Sequence, residues 1–177
     1  FDAVSTWLLT SPAPDTDVSI VRRAVQALAE MHSCLWAVTE RPGPEMLNWE
    51  ELITVRLGRM VNAGTPTKES QFERLEVACN RFGAPEATKA FCKKALDIGL
   101  AELYRKCLPN PAHSSACHGD SNPGNFLVEK NGDGVLLVDF QEPIYQGPGI
   151  SDVARLIVSG MASVSRTAHW EEIVTHY

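Results

Sequence analysis

The sequence predicts an α+β fold, mostly helical, with a small β-hairpin in its last third. Three observations predict it. Apolar residues recur at helical spacing through the first two-thirds of the chain. Leu108-Pro109-Asn110-Pro111 then breaks that pattern. Beyond the break, two β-rich runs flank Asn131-Gly132-Asp133-Gly134, a hairpin signature.

The first helix is expected from Ser19. Ile20, Val21, Ala24, Val25, Leu28, Met31, Leu35 and Trp36 fall on one stripe. Asp17 or Ser19 can cap its start, and Pro42 and Gly43 would end it. A second helix is expected from Asn48, which stands at capping-box spacing from Glu51. It would bury Leu52, Ile53, Leu57, Met60 and Val61 and stop near Gly64 and Pro66. A third helix from Thr67 to Arg81 would turn Phe72, Leu75, Val77, Ala78 and Cys79 inward, with Gly83 beyond its end. A fourth, opened by Pro85 as a first-turn proline, would bury Phe91, Ala95, Leu96, Ile98, Leu100, Leu103 and Tyr104 on the way to Cys107.

After the break, Phe126-Leu127-Val128 and Val135-Leu136-Leu137-Val138 form the hairpin strands. A helix follows, capped by Ser151 or Asp152 and burying Val153, Leu156, Ile157 and Met161. A last helix starts near Thr167 and is still running at Tyr177.

Composition narrows the function. The 177 residues suffice for one domain with a sizeable core, at 44% hydrophobic and 21% charged. The net charge of −6 argues against a broad nucleic-acid surface. No run reaches the length of a membrane span. Phe1-Asp2-Ala3-Val4 has no basic run of the kind that opens a signal peptide. Cys34, Cys79, Cys92, Cys107 and Cys117 are scattered and never form a C-x-x-C pair. They read as small apolar residues in a reducing, cytoplasmic compartment rather than as a disulfide framework or zinc site.

The chemistry-bearing residues cluster around the hairpin. His118-Gly119-Asp120 leads into it, Asn125 stands at its entry and Asp139-Phe140-Gln141 at its exit. A hairpin returns the chain to its start, so Asn125 and Asp139 should lie close together. Phosphoryl transfer from ATP needs such a set: one carboxylate to orient and deprotonate the acceptor hydroxyl, and hard oxygen ligands for Mg²⁺. A base Asp followed five residues later by a metal-binding Asn is the protein-kinase spacing, and Asp120 and Asn125 have it.

His118-Gly119-Asp120-Ser121-Asn122-Pro123-Gly124-Asn125 resembles the H-G-D-x-x-x-x-N loop of the aminoglycoside phosphotransferase and choline kinase-like superfamily. Val138-Asp139-Phe140-Gln141 looks like the V-D-F-Q variant of its ecdysteroid-kinase-like branch. Asp152-Val153-Ala154 is similar to the D-L-A that opens its next helix. Ala29-Glu30-Met31-His32, with Trp36 after it, resembles its L-A-x-L-H-x-x-x-W helix. The resemblance implies a protein-kinase-like C-terminal lobe and an ATP-dependent small-molecule kinase. It implies Asp120 as catalytic base, Asn125 and Asp139 as Mg²⁺ ligands, and His118 as loop support. Asp152 would brace the loop or serve only as a helix N-cap. Asn122, Gln141 and Glu142 are candidates to face the acceptor, a small molecule bearing a hydroxyl. His32 reads as buried packing.

The nucleotide-cradling half of such an enzyme has no counterpart here. Residues before Ser19 contain no lysine and no Gly-rich strand-turn-strand. The expectation is that residues 1–177 are the C-terminal lobe of a longer chain, whose N-terminal lobe completes the site. An inactive pseudokinase-type scaffold is the alternative. A metallophosphoesterase fits poorly, because Phe126 follows Asn125 where a further His ligand would be wanted.

Overall fold

The structure is a computed structural model and describes residues 7–9, 16–36, 47–48, 50–52, 54–55, 68–81, 83–99, 102–103, 106, 114–130, 132–140 and 144–177. Residues 1–49 and 109–177 form one compact unit, and residues 50–108 a second.

In the first unit, α1 (Val18–Cys34) begins where Asp17 accepts a hydrogen bond from the Ser19 N–H at 2.8 Å. That side chain satisfies one of the amides a helix start leaves unpaired. Val21, Ala24, Val25 and Leu28 are buried, as their spacing predicts. The helix ends at Leu35, well short of Pro42. Leu35 and Trp36 leave the helix and are exposed, correcting their expected place in the core. Sheet pairing takes over there: Ala116 N–H donates to Leu35 C=O, and Trp36 bridges Ser115.

Two small sheets follow. In the first, β1 (Trp7–Leu9), β4 (Phe126–Glu129) and β5 (Val135–Leu137) lie in the order β1-β4-β5. Both pairings are antiparallel, and Phe126 faces Leu137 in register. This is the expected hairpin, extended by one strand. In the second, β6 (Ile144–Gly147) is central, parallel to β2 (Leu47–Asn48) and antiparallel to β3 (Ser115–Cys117). Asn48, expected to cap a helix, instead pairs with Gln146, and residues 50–52 are helical.

The chain then enters α4 (Ile150–Gly160) and α5 (Ser163–His176). Val153, Leu156, Ile157 and Met161 are buried with Phe126, Ile173 and the inner face of α1 in one core. Each such side chain contributes about 1.5–3 kcal/mol when removed from water. The N-cap of α4 is Gly149, so neither Ser151 nor Asp152 caps the helix. The last helix starts at Ser163, before the expected Thr167.

In the second unit, α2 (Lys68–Arg81) and α3 (Glu86–Ile98) are joined through Gly83, whose φ of 61° suits glycine. Pro85 is the N-cap of α3 rather than its first helical residue. Leu52 and Cys79 are buried. Val77 and Ala78, expected inside, are exposed, because they lie off the stripe of Phe72, Leu75 and Cys79. Phe91 is 73% exposed. It sits one residue, about 100° of helix rotation, from Cys92 at the centre of the half-buried face. The expected core positions Ile53, Leu57, Met60, Val61, Leu100, Tyr104 and Cys107 lie outside the described residues. Among the described residues no helix is long and apolar enough to cross a membrane.

Candidate active site

The loop from His118 to Asn125 leaves β3 and enters β4 through a 3-10 turn, Pro123–Asn125. Gly119 has φ 82°, a left-handed conformation costly for most side chains. Glycine between His118 and Asp120 lets the chain reverse there. His118 is fully buried while Asp120 stays partly exposed. The 3-10 turn is closed by Asn122, which accepts from the Gly124 N–H at 3.0 Å and donates through Nδ2 to the Asp120 carbonyl at 3.3 Å. Both ends of the Asn122 amide are thus used within the loop. Asn125 Nδ2 donates to the same Asp120 carbonyl at 2.7 Å and approaches Asp120 Oδ2 at 3.4 Å. That arrangement leaves the Asn125 carbonyl oxygen as a hard ligand atom.

His118 ties the loop to the hairpin exit. A carbonyl can only accept, so Nε2–H donates to the Val138 C=O at 2.8 Å. Nδ1 is then the acceptor for the Asp120 N–H at 3.3 Å. The ring also packs against Phe140 at 4.3 Å between centroids. Val138 N–H in turn donates to the Asn125 C=O at 3.0 Å. Asn125 and the residue before Asp139 are therefore hydrogen-bonded neighbours. Asp139 is exposed and takes φ 65°, a conformation in which Asp and Asn are enriched among residues with a side chain. Its carboxylate has no hydrogen-bond partner among the described residues.

Beneath the loop, Asp152 is almost fully buried at the third position of α4. Its Oδ2 accepts from the His118 N–H at 2.6 Å and its Oδ1 from the Gly119 N–H at 3.1 Å. Ser121 Oγ donates to the Asp152 carbonyl at 2.7 Å. His32, buried on α1, donates through Nε2 to Asp152 Oδ2 at 3.2 Å. Its Nδ1 then accepts from the Tyr177 hydroxyl at 2.8 Å. Burial, with Cys117 and Asp152 nearby, pushes the Tyr177 hydroxyl up to about 12. Burial first, and the Asp152 charge second, also push the Cys117 thiol up. The ligand atoms of His32, Cys117 and Asp152 lie within 4.8 Å of one another. The Asp152 oxygens are taken by the loop amides and by His32, so this cluster forms a hydrogen-bonded buttress beneath the loop.

The residues singled out from sequence thus come together around one loop: Asp120 and Asp139 reach its surface, Asn125 is buried at its end, and His118 and Asp152 lie beneath. Gln141 and Glu142 lie outside the described residues. Spacing placed His32 inside but not its polar bonds, and it did not point to Tyr177, Ser121 or Arg155. Arg155 Nη2 pairs with Asp120 Oδ1, an oxygen closed off from solvent. Its sequence signal is present in retrospect: it stands one helical turn after Asp152 and shares a face with it. The donor set of Asn125 and Asp139, an amide oxygen and a carboxylate on adjoining backbone, suits Mg²⁺, which takes oxygen ligands.

The family model described as the phosphotransferase enzyme family matches residues 4–173. Probable choline kinase 2 of Arabidopsis thaliana is 25% identical over 77 residues. That match covers 44% of this chain and 22% of the relative, so it spans about a fifth of the relative's length. No solved structure matches. With the H-G-D-x-x-x-x-N loop folded as described and the match running almost end to end, the chain belongs to the phosphotransferase enzyme family, within the aminoglycoside phosphotransferase and choline kinase-like superfamily.

Proposed function

We propose that this chain is the acceptor-side half of a Mg²⁺-ATP-dependent small-molecule kinase. The observation that carries the reading is the position of Asp120, with one carboxylate oxygen held by Arg155 and the other beside Asn125. Asp120 accepts the proton of the acceptor hydroxyl as that oxygen bonds to the γ-phosphorus. The bond from phosphorus to the bridging oxygen breaks, and ADP leaves with the electron pair. Asn125 and Asp139 would hold Mg²⁺, which supplies neutralisation of phosphate charge when bound. His118 keeps the two segments in register through Val138.

The acceptor is a small molecule with a free hydroxyl. The name of the Arabidopsis relative points to amino alcohols, and the Asp139-Phe140-Gln141 triplet to the sterol-like acceptors of the ecdysteroid-kinase-like branch. The nucleotide-cradling lobe is supplied by a longer chain, and the work takes place in the cytoplasm.

The test uses the full-length protein with γ-labelled ATP, Mg²⁺ and a panel of choline, ethanolamine, an aminoglycoside and a hydroxysterol. Label should pass to one of these, and Asp139→Ala should cut transfer at least about a hundredfold. Undiminished transfer by Asp139→Ala would remove that carboxylate from the metal site. Wild-type protein that binds Mg²⁺-ATP but transfers nothing would favour the scaffold reading.

A further inference from the structure

One helix touches the loop at successive residues. The Asp152 carboxylate takes the amides of His118 and Gly119, and its carbonyl takes the Ser121 hydroxyl. One turn later Arg155 pairs with the side chain of Asp120. At the far end of α4, Gly160 lies so close to the loop turn that a Cβ there would sit 2.7 Å from Pro123 Cγ. The helix therefore meets the loop from residue 118 to residue 123, and Arg155 supplies the contact to the carboxylate proposed to do chemistry.

That contact is the closer of the two that bear on the rotation of the Asp120 carboxylate. An aspartate carboxylate turns about its last torsion with little restraint. The Asn125 amide holds the Asp120 backbone carbonyl firmly at 2.7 Å but reaches Oδ2 only at 3.4 Å. The guanidinium on Oδ1 breaks the equivalence of the two oxygens. Oδ1 is in ion-pair contact with Arg155, makes no hydrogen bond among the described residues and is closed off from solvent, which leaves Oδ2 as the oxygen to receive an acceptor hydroxyl. The Arg155 side chain is itself 45% exposed, so it adds little to fold stability.

We propose that Arg155 is a positioning residue for phosphoryl transfer: it fixes the rotation of the Asp120 carboxylate so that Oδ2 faces the acceptor. The inference rests on the function proposed above and adds a residue to it. Misorientation of a reacting group by about an ångström costs up to about a hundredfold in rate.

The test compares wild type, Arg155→Ala and Arg155→Lys in the full-length protein. It measures release of γ-phosphate from Mg²⁺-ATP, to choline or to water, together with the melting temperature. Arg155→Ala should lower kcat by about 10- to 100-fold. KM for ATP should change by less than about threefold, since the ground-state grip on nucleotide is untouched. Arg155→Lys, which keeps the charge but not the planar fork, should recover a large part of kcat. Melting temperatures of all three should agree within about 2 °C. The proposal fails if Arg155→Ala keeps kcat within about twofold of wild type. It also fails if kcat rises, because the ion pair would then mask the base. Equal losses in both variants with matching falls in melting temperature would assign Arg155 a structural role only. Wild-type protein that releases no γ-phosphate would bring down the proposed function first, and this inference with it.

Discussion

Along the loop from His118 to Asn125, amides and polar side chains are tied to α4, to the hairpin and to one another. Along α2 and α3, Cys79 is the single buried side chain among the described residues, while Val77 and Phe91 face solvent. The first region is specified by directional bonds between particular atoms. The second is specified by helical periodicity, which many sequences satisfy. Function requires the first kind of specification, because a reacting group must be placed to within a fraction of an ångström. Helix formation requires only the second.

The largest stability effect expected from this contrast is at Asp152. Asp152→Ala leaves two loop amides and His32 Nε2 without their acceptor in the interior. It should cost about 3–5 kcal/mol, read from urea unfolding of the intact protein. A loss below about 1 kcal/mol would show that the loop does not depend on this carboxylate.

A smaller effect is expected one link further out. Tyr177→Phe removes the donor to His32 Nδ1 and should cost about 1–2 kcal/mol at neutral pH. The pH dependence has a definite sign. The Tyr177 hydroxyl titrates near 10 when unfolded and at about 12 in the fold, so the fold favours its protonated form. That stabilisation is complete below pH 10 and lost as pH rises through about 12. The Phe variant should therefore show a shallower alkaline decline in the urea midpoint than wild type. The Cys117 thiol, also pushed up, contributes in the same direction in both proteins. Parallel alkaline limbs would remove Tyr177 from the network.

The smallest effect belongs to the second region. Phe91→Gln, at a side chain 73% exposed, should change stability by no more than about 0.5 kcal/mol. A larger loss would mean that this face of α3 is covered in the intact protein.

The same contrast explains what could be read in the sequence. The hairpin was legible because Phe126 to Val138 carries two strand runs around a turn sequence. The inner face of α1 was legible because Val21, Ala24, Val25 and Leu28 repeat at helical spacing. The gathering of Asp120, Asn125 and Asp139 at one loop was legible because Asp120 and Asn125 flank the entry of a hairpin that returns the chain to Asp139. The strands β1, β2 and β6 were not, since they are as short as the hairpin strands but have no turn sequence linking them to a partner. Nor were Leu35 and Trp36 as the point where a helix yields to sheet pairing, which depends on β3, far along the chain. The contacts of His32 with Asp152 and Tyr177 span 120 and 145 residues and leave no local pattern.

The central claim is that Asp120 performs the chemistry that the rest of the loop positions. Asp120→Asn keeps the size and backbone of the residue and removes its capacity to take a proton. Turnover of γ-labelled Mg²⁺-ATP by the full-length variant, with its circular dichroism spectrum unchanged, measures that claim alone. The account predicts a fall in kcat of about 10²- to 10⁴-fold with KM for ATP nearly constant. A folded Asp120→Asn protein that transfers phosphate at the wild-type rate would contradict it.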